Sequence, residues 1–294
     1  MAARRFAWVL NLDADLELAA PQSYAPRKSV RAAMASFVPV VARSLLADDD
    51  VLVDESSEPL AARGLTGRAF CPTPRALGLL RRSGAEPEAA PSVDVLRRVN
   101  SRAFASALGP TLPGGAFVTS LDEARAVLGR TPSLGKGWRV KRAFGMSGRG
   151  QRVVLAGPTD ADLAFVRAAM TEGGVQIEPN VDIAREYALH GMLAEDGTCE
   201  LGSLVEQRCD ARGAWLSSAP LAATTSEERD VRDRLVEEGS RVAAALTEAG
   251  YYGPFGIDAY SYRGPLDGLR LQPRSEINAR YSMGFAVGFR GSRP

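Results

Sequence analysis

A glycine-rich turn, Gly145-Met-Ser-Gly-Arg-Gly150, stands between two runs that both read as strands, Trp138 to Ala143 before it and Gln151 to Ala156 after it. That context constrains the fold more than any other feature of the chain. A Walker A loop requires Gly-Lys-Ser/Thr leading into a helix, and a dinucleotide-binding fingerprint also opens a helix. A glycine turn that closes a hairpin belongs to an antiparallel sheet instead. Its backbone N–H groups can cradle a phosphate, with Lys141 on the preceding strand adding a point charge. The alternative is a hairpin tip with a structural role only.

Upstream, strand and helix patterns alternate. Phe6 to Leu18 reads as a strand, with Trp8, Leu10, Leu12, Leu16 and Leu18 on one side and Asn11, Asp13, Asp15 and Glu17 on the other. The acidic side reads as a solvated strand face; the alternative is a site for a substrate ammonium at the end of a sheet strand. Val30, Met34, Phe37, Val41 and Leu45 recur at helical steps. Val51 to Val53 reads as a short buried strand, Thr73 to Arg82 as a helix ended by Gly84, and Ser83 to Pro91 as the most linker-like stretch. This order predicts a small α/β unit. Downstream, Ser120 with Glu123 and Thr225 with Glu228 are capping boxes, the first opening a helix to Leu128 and the second a long helix ending at Gly250. A helix over Thr159 to Met170 and strands over Val175 to Glu178, Glu186 to Leu193, Phe255 to Tyr260 and Leu269 to Asn278 complete the reading.

Thirty-six Lys and Arg balance thirty-five Asp and Glu, a net charge of +1. No whole-molecule field draws such a chain to nucleic acid or anionic lipid, and no basic aromatic stripe is present. The single histidine, His190, excludes chemistry that needs two and reads as structural. Cys71, Cys199 and Cys209 are too scattered for a zinc site, and as free thiols they fit a reducing compartment. Arg4 and Arg5 precede the apolar run Phe6 to Leu10, but Asp13, Asp15 and Glu17 interrupt it where a signal peptide would continue. No stretch approaches the ~18–20 apolar residues of a membrane helix. The expectation is a cytoplasmic protein with no membrane partner and no nucleic-acid partner.

Near the C-terminus, Gly256-Ile-Asp258 ends one apolar strand and Ser275-Glu-Ile-Asn278 ends the next. Paired as a hairpin, Asp258 faces Glu276 and Asn278, which share a face because side chains alternate. Two carboxylates and an amide oxygen are hard ligands suited to Mg²⁺. The alternative is a Glu276–Arg280 salt bridge on a solvated edge.

In chain order, these pieces resemble the ATP-grasp superfamily, and the resemblance covers most of the chain. It implies an α/β N-terminal domain over residues 1–110, followed by two α+β lobes over 111–177 and 178–294. Lys141 matches the strand lysine that contacts nucleotide phosphates, and Gly145, Ser147, Gly148 and Gly150 fall in the loop that closes over them. Glu178-Pro-Asn-Val181 resembles the hinge that contacts adenine, through Glu178, Asn180 and Val181, and Glu186 matches the acid that takes the ribose hydroxyls. Asp258, Glu276 and Asn278 match the metal ligands, and Glu276-Ile-Asn-Ala-Arg280 resembles the family's Glu-x-Asn-x-Arg signature. Two departures stand out: Arg102 is the nearest candidate for an earlier phosphate-binding lysine, and Asp258 and Glu276 are further apart than usual, as a longer hairpin turn would make them.

The resemblance implies ATP and Mg²⁺ as cofactors and an ADP-forming carboxylate–amine ligase. Such an enzyme acts on small carboxylate and amine substrates, amino-acid or peptide-like, with Lys141 and Arg280 in catalytic roles. Arg280 would orient the substrate carboxylate or stabilise the tetrahedral intermediate. The alternatives are a carboxylate–thiol ligase and a nucleotide-binding regulatory protein without turnover. A homodimer, the commonest oligomer, is a candidate state. Arg185 and Arg208 are further candidates to reach phosphate or substrate, and Trp215 is read as part of a covering loop or of the core.

Overall fold

A computed structural model describes residues 4–109, 112–146, 148–211, 213–264 and 268–289, and these build three sheets in sequence order. The first region runs β1 (Phe6–Val9), α1 (Ala14–Ala19), α2 (Lys28–Leu45), β2 (Val51–Leu52), β3 (Thr66–Ala69), α3 (Pro74–Arg82), β4 (Glu86–Pro87), α4 (Val93–Asn100) and α5 (Arg102–Ala107). Its strands pair in parallel in the order β2-β1-β3-β4, as alternation with helices requires. Thr73 caps α3 ahead of Pro74, whose missing N–H costs nothing at a helix start.

Two expectations fail here. The strand begun at Phe6 ends at Val9, and residues 14–19 are helical. Asn11 ends the strand by turning its side chain across the sheet: its amide donates to the Cys71 carbonyl at 2.8 Å and its oxygen accepts the Cys71 N–H at 3.1 Å. The acidic residues that follow are buried, not solvated. Asp13 pairs with Arg75 at 2.5 Å, and Glu17 accepts from the Thr73 hydroxyl at 2.7 Å and the Arg75 N–H at 2.9 Å. The second correction concerns Ser83 to Pro91. This stretch holds β4, the outer strand of the first sheet, with Glu86 N–H donating to Leu65 and Glu88 N–H to Gly67.

The second region comprises β5 (Ala116–Val118), α6 (Leu121–Leu128), β6 (Trp138–Arg142), β7 (Gln151–Val154), α7 (Asp160–Met170) and β8 (Val175–Pro179). Its sheet is antiparallel, ordered β5-β8-β6-β7. Reciprocal capping boxes open α6 (Ser120, Glu123) and α7 (Thr159, Asp162). Val140, Val154, Val166 and Ile177 belong to the core between this sheet and the two helices.

The third region comprises β9 (Ile183–Leu193), β10 (Cys199–Leu201), β11 (Val205–Cys209), β12 (Trp215–Pro220), α8 (Ser226–Glu248), β13 (Gly253–Arg263), β14 (Leu269–Asn278) and α9 (Phe285–Gly288). The sheet order is β12-β11-β9-β13-β14, with β10 beside β9, and every pairing is antiparallel. Leu235, Val242 and Leu246 of α8 pack on Leu189, Phe255 and Ile257. The wide separation of Asp258 and Glu276 comes from the length of the paired strands β13 and β14, within which the two residues stand in register. No helix among the described residues is long and apolar enough to cross a membrane.

His190, on the central strand β9, is buried and its Nδ1 has no hydrogen-bond partner among the described residues. The ring occupies space left by three glycines. A Cβ at Gly256, Gly284 or Gly288 would come within 3.0, 3.2 and 3.0 Å of an imidazole atom. Burial lowers its pKa from 6.5 to about 4, since a cation there has no solvent and no counter-charge. The unfolded chain takes up a proton near pH 6.5 that the folded chain refuses until about pH 4, so this group favours folding least at low pH. Between pH 6.5 and 4.5 the wild type should lose about 2 kcal/mol of stability relative to a His190→Gln variant, measured by urea denaturation. Parallel pH profiles for the two proteins would refute this.

Candidate active site

A cleft of about 260 Å³ opens where the three sheets meet, and it collects Lys141, Gly145, Gly148, Gly150, Glu178, Val181, Glu186, Asp258, Glu276, Asn278 and Arg280. Its acidic floor is made by the β13–β14 ladder, which sets Asp258 opposite Glu276 and Gly256 opposite Asn278. Asp258 accepts hydrogen bonds from Gln207 Nε2 and Asn278 Nδ2, both at 2.9 Å. Burial and then the Glu276 charge raise its pKa from 3.8 to about 6, against the lowering effect of those hydrogen bonds. Glu276 is paired with Arg102, Nη2 to Oε2 at 2.7 Å. It does not pair with Arg280, as the salt-bridge alternative required. Among the described residues no three His, Cys, Asp or Glu side chains cluster as a metal site; the donor set here is two carboxylates and a carboxamide. Hard oxygens with a strained excess of negative charge suit Mg²⁺, and Asn278, which donates its N–H₂ to Asp258, has its carbonyl oxygen left for a cation.

The basic wall comes from the second sheet. Lys141 on β6 ion-pairs with Glu178 at 2.5 Å and donates to Ser275 Oγ at 3.3 Å. Both partners line the cleft with it. The turn beyond β6 is closed by Arg142 N–H to the Gly150 carbonyl at 2.8 Å and Arg149 N–H to the Met146 carbonyl at 2.8 Å. Gly148 and Gly150 have φ of 71° and 80°, the left-handed region that other residues reach at a cost. Gly145 lies against Arg102, 3.2 Å from where a Cβ would stand to Nη1. Ser147 lies outside the described residues.

Glu186 faces the cleft beside Cys209, whose thiol hydrogen-bonds to it; burial and then this carboxylate push the thiol pKa up. Asn180 stands apart from the cleft lining. Its side-chain oxygen accepts from Arg139 at 2.9 Å, and its backbone N–H and carbonyl are taken by Gly137 and Lys136. Arg185 is tied to Glu206 and Glu228. Trp215 lies on β12 and faces the cleft. Gln207 and Arg139 were not singled out in the sequence. Gln207 follows Glu206 on β11, and the pairing of both β11 and β13 with β9 brings it to Asp258.

Arg280 follows β14 and is held by Asp15 in a bidentate pair, Nε to Oδ1 at 3.2 Å and Nη2 to Oδ2 at 2.6 Å, while Nη1 donates to the Tyr281 carbonyl at 3.0 Å. Burial disfavours the cation, but the Asp15 carboxylate outweighs it and keeps the guanidinium pKa above its ordinary value. With side-chain exposures of 12% and 7%, either partner left alone is only partly rehydrated. Asp15→Ala should therefore cost about 3–5 kcal/mol of stability. Removing Arg280 as well should recover part of that loss in a double-mutant cycle followed by urea denaturation. Additive losses would mean that the pair carries no coupling.

No protein-family model and no curated protein matches the sequence. Solved structures do match the fold. The biotin carboxylase of Campylobacter jejuni aligns with 98% of this chain and 72% of its own, at a TM-score of 0.53 and 14% identity. An N5-carboxyaminoimidazole synthetase from Staphylococcus aureus, complexed with ADP, aligns with 95% of this chain and 71% of its own, at a TM-score of 0.50 and 14% identity. Pyruvate carboxylase of Rhizobium etli aligns with 97% of this chain over 27% of its own length, at a TM-score of 0.55 and 16% identity. These enzymes are ATP-grasp proteins, and the protein described here has the ATP-grasp fold.

Proposed function

We propose that the protein is an ATP-dependent, ADP-forming ligase that activates a carboxylate as an acylphosphate and joins it to an amine. The observation that carries this reading is the pairing of Asp258 with Glu276 across β13 and β14, in one cleft with Lys141 and the Gly145–Gly150 turn. ATP as the nucleotide is supported by the ADP complex of the S. aureus synthetase, which shares the fold. The division into an N-terminal domain (1–110) and two lobes (111–177, 178–294) is part of the same proposal, with the three sheets in its support. So are a cytoplasmic location and small carboxylate and amine substrates.

In this reading Lys141 and the amides of the glycine turn hold the phosphates, and Arg102, at the base of the turn, shares that work. Glu178, Val181 and Glu186 border the adenosine. Asp258, Glu276 and Asn278 would hold Mg²⁺, which would supply positive charge to offset the negative charge of the phosphates. A carboxylate oxygen attacks the γ-phosphorus and ADP leaves. The amine then attacks the acyl carbon, inorganic phosphate leaves, and the nitrogen gives up a proton. The protein's contribution is positioning and charge.

A second reading, a nucleotide-binding protein without turnover, is favoured by one feature: Arg102 already occupies a carboxylate that Mg²⁺ would need. The two separate in a thermal-shift experiment. At about 100 times its dissociation constant, MgATP should stabilise the wild type by roughly 2.7 kcal/mol, with the shift dependent on Mg²⁺ and absent in Glu276→Ala. A shift indifferent to Mg²⁺ supports the second reading, and no shift with any nucleotide overturns both. Lys141→Ala should weaken ATP binding by about 10- to 100-fold, the value of one charge-assisted hydrogen bond, as read by calorimetry. Unchanged affinity would place the phosphates elsewhere. The product, amide or thioester, distinguishes an amine from a thiol acceptor.

A further inference from the structure

Past the residues assigned to the nucleotide, the cleft has a second, apolar part. Leu12 and Phe70 from the segments after β1 and β3, Met34 and Phe37 of α2, Trp215 of β12, and Met283 line this second part. Met34 and Phe37 are three apart on one helix face and half-buried. Phe37 meets Trp215 edge to face, with ring centroids 6.4 Å apart. The only donor of Trp215 is satisfied on its own strand, Nε1 to Ser218 Oγ at 2.8 Å. The ring therefore offers an apolar surface and no polar contact. Apolar side chains from three separate elements that turn toward a cleft mark a ligand surface.

The polar groups beside Met283 in this part include Arg280, Asp15 and Ser282, whose buried Oγ has no hydrogen-bond partner among the described residues. A guanidinium has five N–H donors. Arg280 gives two of them to Asp15 and one to the Tyr281 carbonyl. The other two, one on each terminal nitrogen, have no partner among the described residues and suit a carboxylate. Asp15 cancels the charge and presents carboxylate oxygens that suit an ammonium. A phosphate ester would meet no spare positive charge at this pair, whereas a zwitterion matches it group for group.

We propose that this part of the cleft binds an α-amino acid with a large apolar side chain. The amino and carboxyl groups sit on the Asp15–Arg280 pair, and the side chain lies among Met34, Phe37 and Trp215. That the amino acid is a substrate rests on the ligase reading; that it binds does not. The test is calorimetric titration of the full chain with L-leucine, L-methionine, L-phenylalanine, L-alanine, L-glutamate and L-lysine. Each is measured alone and with a non-hydrolysable MgATP analogue, and MgATP is titrated separately. The three large apolar amino acids should bind at least about tenfold more tightly than the other three, in line with the discrimination an apolar pocket achieves. Phe37→Ala, a half-exposed position whose folding is checked by its melting curve, should remove most of that preference and leave MgATP affinity within about twofold. If MgATP binds and the apolar amino acids show no preference, the proposal fails and the ligase reading stands. If they bind and MgATP does not, the ligase reading fails and the amino-acid site stands. Failure of both titrations overturns both.

Discussion

The ion pair between Asp15 and Arg280 joins the first turn of α1 to the residue two places beyond β14, almost the whole chain apart in sequence. It sits where the parallel sheet meets the long antiparallel hairpin, and it is reinforced nearby by Asn100, whose side chain exchanges two hydrogen bonds with the backbone of Ala279. Tyr281 N–H donates to the Phe70 carbonyl beside it. These bonds fix where the end of β14 lies against the first sheet, and so fix the shape of the cleft between them. A buried pair of this kind contributes little net energy over an apolar substitute, but its partners cannot separate without large cost. It therefore sets geometry more than stability.

The electrostatics of the cleft are balanced by proximity across elements. Lys141 answers Glu178, Arg102 answers Glu276, and Arg280 answers Asp15. Asp258 alone among these carboxylates has no cation in contact, only two amide donors, and its pKa is correspondingly high. A surplus of negative charge is thus localised at Asp258 on the floor, in the same cleft as Gly145, Gly148 and Gly150 of the glycine turn. A magnesium nucleotide carries the complementary arrangement, a dication beside polyanionic oxygens.

Much of this was legible in the sequence because it depends on local rules. The capping boxes at Ser120 and Thr225, the helix over Pro74–Arg82, and the hairpin β13–β14 follow from residue identity at fixed offsets. Alternation put Glu276 and Asn278 on one face, and pairing the two strands as a hairpin set Asp258 against it. The stretch after Val9 was misread because Leu12, Leu16 and Leu18 alternate with acids in a way that period two and a short helix both fit, and the arginines that bury those acids come from positions 75 and 280. Ser83 to Pro91 looked like a linker because strand β4 is only two residues long and is held by backbone groups of β3 that no local pattern announces. Asn180 was placed in a hinge by resemblance alone, and its polar atoms engage β6 and the loop before it. Partners distant in sequence decided every one of these cases.

The setting of His190 has an evolutionary consequence. Gly256, Gly284 and Gly288 come from β13, from the segment before α9 and from the end of α9, yet all three give their side-chain space to one ring. Replacing any of the glycines brings a Cβ to within 3.0–3.2 Å of the imidazole, so the ring must give way by a few tenths of an ångström, and shrinking the imidazole alone opens a void beside these glycines. The volume of the side chain at His190 and the missing side chains at Gly256, Gly284 and Gly288 are therefore coupled: a smaller residue in place of His190 makes room for a Cβ at one of the three, so the two changes together cost less than the sum of each alone. Substitutions at these positions are expected to be correlated rather than independent.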